Sequence, residues 1–386
     1  MEETAMKPYK TYPSEKRSYK DRISGATVTQ LTGYLGHSYH TYFTNSGWYD
    51  GNQRLLFTSD RENVTNLFSI HIGSGEISQL TCFEPGSRQK VHFTNDVNPK
   101  RPEVYYSAGR EVRALNLETL ETRPLYTPPE GFNASCGLVG ADGQYIYGVL
   151  MEDLSGRIYA DLTASYIGMR EIFEAKPDCR VFRVNVDTGE AETLWQENCW
   201  IGHVNPSPTQ PNLLTFCHEG NWEMVDHRIW LLDTEKGTPV KIRERAEKGE
   251  KIGHEYWYAD GLRVGYQVHK PNDGSYFGVV NYDGTGMQEA KCVPLPSPDH
   301  VHSNDFHLIV SDSGKSIKLY RYNGSSFDNA RVLAMHDGSF FFGSHHPHPR
   351  FTADGKQVLY NSNVSGYCNL YMVEVPEDVS ALPQVQ

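Results

Sequence analysis

The chain has 386 residues, 38% apolar and 22% charged, with a formal net charge of −12. This is a globular composition rather than a disordered one, and the acidic balance argues against a nucleic-acid backbone as partner, which needs a basic surface. No run of about 18 apolar residues is present to span a membrane, no signal-peptide core opens the chain, and seven scattered cysteines without a C-x-x-C pair read as reduced, so a cytoplasmic protein is expected.

Frequent aromatics (24 Tyr, 16 Phe, 6 Trp) together with 34 Gly and 21 Pro favour many short strands joined by tight turns. In chain order, residues 1–23 read as an N-terminal extension, followed by a lone strand, Ala26-Thr27-Val28-Thr29-Gln30-Leu31-Thr32. A repeating unit then begins. Tyr49-Asp50-Gly51 leads into Arg54–Thr58, then Leu67–Ile70, a turn at Gly73-Ser74-Gly75, and Ile77–Thr81. A less regular unit lies near 93–127. Ala141-Asp142-Gly143 precedes Tyr145–Val149, and that unit resumes at Arg180–Val184 and ends at Ala191–Trp195.

The intervening segment, 152–178, lacks strand rhythm and reads as a rim insertion with a short helix over Asp161–Phe173; loop insertions of this kind commonly carry function. Units near 203–242 and 300–334 flank Ala259-Asp260-Gly261 with Arg263–Val268, and the last unit runs from Ala353-Asp354-Gly355 into Gln357–Tyr360. Asp-Gly supplies the positive-φ residue that a tight hairpin demands.

Seven such units, evenly spaced and without a linker, predict an all-β fold: a seven-bladed β-propeller forming one domain over 1–386. Two β-sandwiches are the alternative architecture. Ala26–Thr32 matches the outermost strand Ile77–Thr81 and would complete the last blade, closing the ring without an open edge.

Histidines stand where the innermost strand of four consecutive units is about to begin: His203, His254, His300 and His346/His348. In a propeller these positions converge at one mouth of the central channel. His346 and His348, two apart on an extended segment, are expected to point the same way. Paired imidazoles suit Mn, Fe or Zn rather than Ca or Mg. Arg228 is either a ladder-pairing arginine or a bidentate clamp on a carboxylate. His254, beside Glu255, Tyr256 and Trp257, is either a base next to a sugar-stacking surface or a core histidine in an aromatic cluster. No G-x-S-x-G elbow, phosphate loop or H-E-x-x-H motif is present.

Taken in order, Trp200-Ile201-Gly202-His203, Phe216-Cys217-His218-Glu219-Gly220, Val225-Asp226-x-Arg228-x-Trp230, His254-Glu255-x-Trp257, His300-x-x-Ser303-Asn304 and His346-Pro347-His348-Pro349 resemble the motifs of oligogalacturonate lyases. These are seven-bladed propeller enzymes of pectin breakdown, and the likeness runs from Ser24 to Tyr371. The resemblance implies β-elimination on short galacturonate oligomers, assisted by a divalent metal, typically manganese.

By motif, the metal ligands are His300, His346 and His348, the base is His254 and the substrate-facing arginine is Arg228. His203, Trp257 and Arg350 are expected to complete the binding surface for an acidic oligosaccharide. The family's fourth ligand is a glutamine where this chain has Gly343, so His345 or Ser344 is the substitute, or water. Lyases on other uronates, including rhamnose–glucuronate linkages, and a non-catalytic binding propeller are the rival functions. No residue stands out as the acid for the leaving group.

Overall fold

The computed structural model describes residues 9–84, 95–162, 166–292, 300–340 and 343–385. Its frame is set by the Asp-Gly turns. Gly143 and Gly261 adopt φ of +71° and +65°, where a Cβ is penalised. Space forbids a side chain as well: a Cβ on Gly143 would lie 2.4 Å from Asn98 Oδ1, and one on Gly261 2.2 Å from Thr209 Oγ1. The crowding is a clasp between neighbouring sheets. Asn98 Nδ2 donates to Gly143 O at 2.9 Å, Ser207 Oγ to Gly261 O at 2.7 Å, and Asn304 Nδ2 to Thr352 O at 2.8 Å. The turn that starts each hairpin therefore also registers one sheet against the next.

Among the described residues the strands form seven antiparallel sheets. The innermost strands are Ser38–His40 with Trp48–Tyr49 in blade 1, Asp96–Val97 in blade 2 and Phe132–Val139 in blade 3. They continue with Ile201–Pro206 in blade 4, Lys251–Trp257 in blade 5, Val301–His302 in blade 6 and Arg350–Phe351 in blade 7. Apolar faces of adjacent blades pack on one another, as Val310, Ile317 and Leu319 of blade 6 do against Val358, Tyr360 and Val373 of blade 7. Leu359, Leu370 and Met372 of blade 7 meet Leu55, Phe57 and Phe68 of blade 1, which closes the ring. The protein is a seven-bladed β-propeller.

Closure uses the N-terminal segment as expected. Thr27–Gln30 pairs with Asn369–Glu374, Val28 lying opposite Val373. The preceding extension does more than extend: Arg17–Lys20 adds a strand outside Thr27–Gln30, and Thr11–Tyr12 pairs with Ile77–Gln79 of blade 1. Glu15 meets the buried Arg61 at 3.0 Å, pinning this strap to the first blade.

The rim insertion holds a helix at Met169–Ala175, later than the expected Asp161–Phe173. Gly168, at φ +81°, sets its start, and Asp161 instead bridges to Ile167. Residues 163–165 of the expected helix lie outside the described residues. Phe173 packs over Gly220, where a Cβ would come within 2.6 Å of the ring. Among the described residues no helix is long and apolar enough to cross a membrane.

Candidate active site

The innermost strands of blades 4 and 5 are interrupted in the same way. Gly202 opposes Cys217 and the next pair is Asn205–Thr215; Gly253 opposes Gln267 and the next pair is Tyr256–Gly265. Each strand thus carries one residue more than its partner, a bulge that re-aims a side chain. The re-aimed residue is a histidine in the left-handed region, His203 at φ +46° and His254 at φ +52°. Gly137 occupies the matching bulge of blade 3. His348, leading into blade 7, is left-handed too, at φ +46°. Such backbone costs on the order of 1–3 kcal/mol per residue and persists only where the surroundings over-determine it. All three rings line one cavity of about 760 Å³.

His300, His346 and His348 meet in that cavity, their ligand nitrogens all within 4.8 Å of one another. The rings of His300 and His348 are 4.2 Å apart between centroids, those of His300 and His346 5.4 Å. The wholly buried Asp312 organises the group. It accepts from His300 Nδ1 at 2.9 Å, from the His300 backbone N–H at 2.6 Å and from the His348 backbone N–H at 3.3 Å. A carboxylate on Nδ1 holds the tautomer whose Nε2 lone pair is the ligand.

Burial, then repulsion from His300, pushes the pKa values of His348 and His346 below the ordinary imidazole range, so both rings are neutral at pH 7. Three converging imidazoles with a carboxylate behind one of them fit a nitrogen-preferring divalent metal. Asp312→Asn is expected to weaken Mn²⁺ binding by about 10- to 100-fold in a metal titration; unchanged affinity would show that the trio is held without it.

The route to convergence differs from the expected one. Gly343–His345 is a single 3₁₀ turn and His348 is left-handed, so His346 and His348 do not share a side by strand alternation. His345 does not join the trio. Its ring stacks on His37 at 5.0 Å and Tyr39 at 6.0 Å, and burial, then His37, lowers its pKa to about 4. Gly343 lines the cavity wall.

His254 stands beside this group, its ring 4.8 Å from that of His300 and edge-on to Trp222 at 5.0 Å. Burial, then the charges of His300 and Arg228, depresses its pKa well below the ordinary value. The Gln267 amide nitrogen Nε2 lies 2.5 Å from Nδ1 and steadies the ring.

Arg228 is buried, not at the surface, just before the strand Ile229–Asp233; its carbonyl accepts from His218 N–H at 3.2 Å, and its side chain turns to carboxylates. Its Nε donates to Glu255 Oε2 and its Nη1 to Glu219 Oε1, each at 3.1 Å, with Trp222 under the guanidinium at 5.5 Å. Glu219 also meets His203 Nε2 at 3.1 Å. Against the effect of burial, Arg228 and then His203 hold the Glu219 carboxyl far below its usual range, and Glu219 outweighs burial to raise the pKa of His203. His203, Cys217 and Glu219 have the spacing of a second metal group. The guanidinium on the same carboxylate and a thiol kept neutral by burial make a proton on His203 the better-fitting charge.

Two expected binding residues lie elsewhere. Trp257 and Arg350 line a separate cavity of about 350 Å³ at the far end of the innermost strands. The indole N–H of Trp257 donates to Asn205 O at 2.8 Å. Arg350 Nη1 donates to Phe43 O and Asn45 O at 2.8 and 2.7 Å, so both side chains hold the channel wall. Conversely, Tyr42, which no sequence motif marks, lines the histidine cavity. It follows the innermost strand segment Ser38–His40, and its ring lies 4.9 Å from His348 and 5.8 Å from His203. Only its position beside the first blade's innermost strand, which it shares with the histidines, could have marked it. Leu162, Tyr166 and Met169 of the rim insertion complete the cavity mouth.

A seven-bladed propeller that gathers histidines, a buried arginine and paired glutamates at one mouth of its channel is built as an enzyme, and its chemistry suits an anionic ligand. The chain belongs to the oligogalacturonate lyase family, whose profile matches residues 6–379, and is a lyase. It is 28% identical over 390 residues to the oligogalacturonide lyase of Pectobacterium atrosepticum, covering 95% of this chain and 98% of that one. The oligogalacturonate lyase of Dickeya dadantii is 27% identical over 385 residues, 94% of this chain and 96% of its own. Among solved structures, an oligogalacturonate lyase in complex with manganese superposes with a TM-score of 0.86 at 26% identity, covering 97% of this chain and 100% of the other. The oligogalacturonate lyase of Vibrio parahaemolyticus gives 0.85 at 25% identity, with 97% and 100% covered.

Proposed function

We propose that this protein catalyses metal-assisted β-elimination on short uronate oligosaccharides, oligogalacturonate first among them, to give 4,5-unsaturated products in pectin degradation. The observation that carries this reading is one cavity holding both a three-histidine group and, 4.8 Å from His300, the ring of His254. The family relatives named above support the substrate, and the manganese complex of one of them supports Mn²⁺ as the metal.

His300, His346 and His348 would hold the metal, which when bound supplies positive charge to a substrate carboxylate and so acidifies the neighbouring C–H. Gly343 brings no side-chain ligand and His345 stacks on His37 and Tyr39 instead, so water or substrate would complete the coordination. The Arg228 guanidinium, fixed by Glu219 and Glu255, offers preorganised N–H donors to the same carboxylate. His254 takes the C5 proton, Gln267 orienting its ring. Trp222, packed on both His254 and Arg228, keeps the two groups in register. A lyase acting on a different uronate linkage, such as rhamnose–glucuronate, is the second reading.

Digalacturonate with Mn²⁺ is expected to develop the absorbance of an unsaturated uronate. Stripping metal with a chelator should stop the reaction and Mn²⁺ should restore it. No absorbance change with galacturonate or glucuronate disaccharides would sink the lyase reading, and full turnover by demonstrably metal-free protein would remove the metal from it.

A further inference from the structure

Elimination leaves an oxygen that needs a proton, and in a concerted step His254 is accepting the C5 proton while that oxygen departs, so a second group has to supply it. We propose that His203 is the general acid that protonates the departing glycosidic oxygen; the inference rests on the lyase reading above. In that step the C5–H bond breaks and its proton passes to His254. The C5–H electron pair becomes the C4=C5 double bond, the C4–O bond breaks, and its electron pair stays on the oxygen, which takes a proton from His203. His254 ends as imidazolium and His203 as neutral imidazole, so charge balances.

Three features of the structure converge on His203. The first is its place. His203 lines the 760 Å³ cavity and also an adjoining cavity of about 410 Å³ between blades 3 and 4, the two sharing Tyr42, Trp200, His203 and Glu219. A glycosidic oxygen lies between two sugar rings, so its proton donor belongs where two sugar-sized spaces meet.

The second is its backbone. His203 sits at φ +46° on a bulge of the same kind as that of His254, one blade away. Strain of this kind is held where it aims a side chain. The blade-3 bulge, which carries no histidine, places Gly137 there at φ +138°.

The third is its partner. Glu219 Oε2 lies 3.1 Å from Nε2, and its other oxygen is clamped by Arg228, whose Nε is held in turn by Glu255. A carboxylate fixed on one ring nitrogen keeps its proton there and leaves the proton on Nδ1 as the one to be given, the carboxylate–imidazole logic of general acid catalysis. The titratable and charged groups around His203 are Glu219 and Cys217 of blade 4, Arg228 from the loop before the third strand, Glu255 and the neutral His254 of blade 5, and Tyr42 of blade 1. Two carboxylates against one guanidinium leave room for one more positive charge, and the raised pKa of His203 agrees with that count.

The test compares two substrates in the Mn²⁺-loaded protein: digalacturonate, and a galacturonoside bearing 4-nitrophenolate on C4, a leaving group that needs no proton. His203→Asn keeps a residue tolerant of positive φ. It should lower the rate on digalacturonate by about 10²- to 10⁴-fold and the rate on the aryl ether by far less. Glu219→Gln should move the high-pH limb of the digalacturonate profile to lower pH. Equal losses on both substrates with His203→Asn would overturn the proposal. So would a leaving-group-dependent loss found with Tyr42→Phe and not with His203→Asn. Wild-type protein inert toward both substrates would instead sink the lyase reading itself, a result distinct from either.

Discussion

His254→Asn is expected to lower digalacturonate turnover by about 10²- to 10⁴-fold while Mn²⁺ content and thermal stability stay at wild-type levels. The His254 ring is a neighbour of His300, not one of the three ligand-bearing side chains, so its removal leaves the metal group intact. Its backbone is left-handed at φ +52°, and asparagine is among the few L-residues that adopt that region readily. The bulge should therefore survive the change, and the melting temperature should not fall. Elemental analysis, a melting curve and a rate separate the outcomes. Near-normal turnover would end the base assignment, and loss of metal would show that His254 belongs to the metal group.

Arg228→Met should abolish turnover and also destabilise the fold, by about 3–5 kcal/mol at pH 7, since it strands the buried carboxylates of Glu219 and Glu255 without their cation. Arg228→Lys is not a conservative repair, because one ammonium cannot reproduce two directed guanidinium bonds. The pH dependence follows from Glu219, whose folded pKa is depressed. The stability this contributes is fully present above its ordinary value near 4.5 and is lost as the pH falls through the folded value. Denaturant curves should therefore show the widest gap between wild type and Arg228→Met above that pH, closing toward acid. A variant as stable as wild type at pH 7 would mean that the two glutamates are not charged in the folded protein.

The blades were legible because their signals are local. Asp-Gly turns at 51, 143, 261 and 355 and the alternation after them need only a few consecutive residues to be recognised, and the strand Ala26–Thr32 betrayed its role by likeness to Ile77–Thr81. The rim helix was misplaced because Gly168 sets its start through a backbone angle that periodicity does not report. Among site residues, those leading into successive blades were recoverable from position alone: His203, His254, His300, His346 and His348 do meet in one cavity. Trp257 and Arg350 came from the same segments yet face a different cavity, since a few residues along an innermost strand carry the chain to its other end.

Residue order alone thus determined the number of blades, the closing strand and which segments supply the histidines, because each depends on turns and repeats read along the chain. The tertiary structure decided what those histidines are. Two bulges and a left-handed His348 set their directions, Asp312 chose the tautomer of His300, and Glu219 with Arg228 set the charge of His203. Those partners lie on other strands or other blades, or a dozen residues or more away, and a proton's place is settled by groups that only folding brings within hydrogen-bond reach.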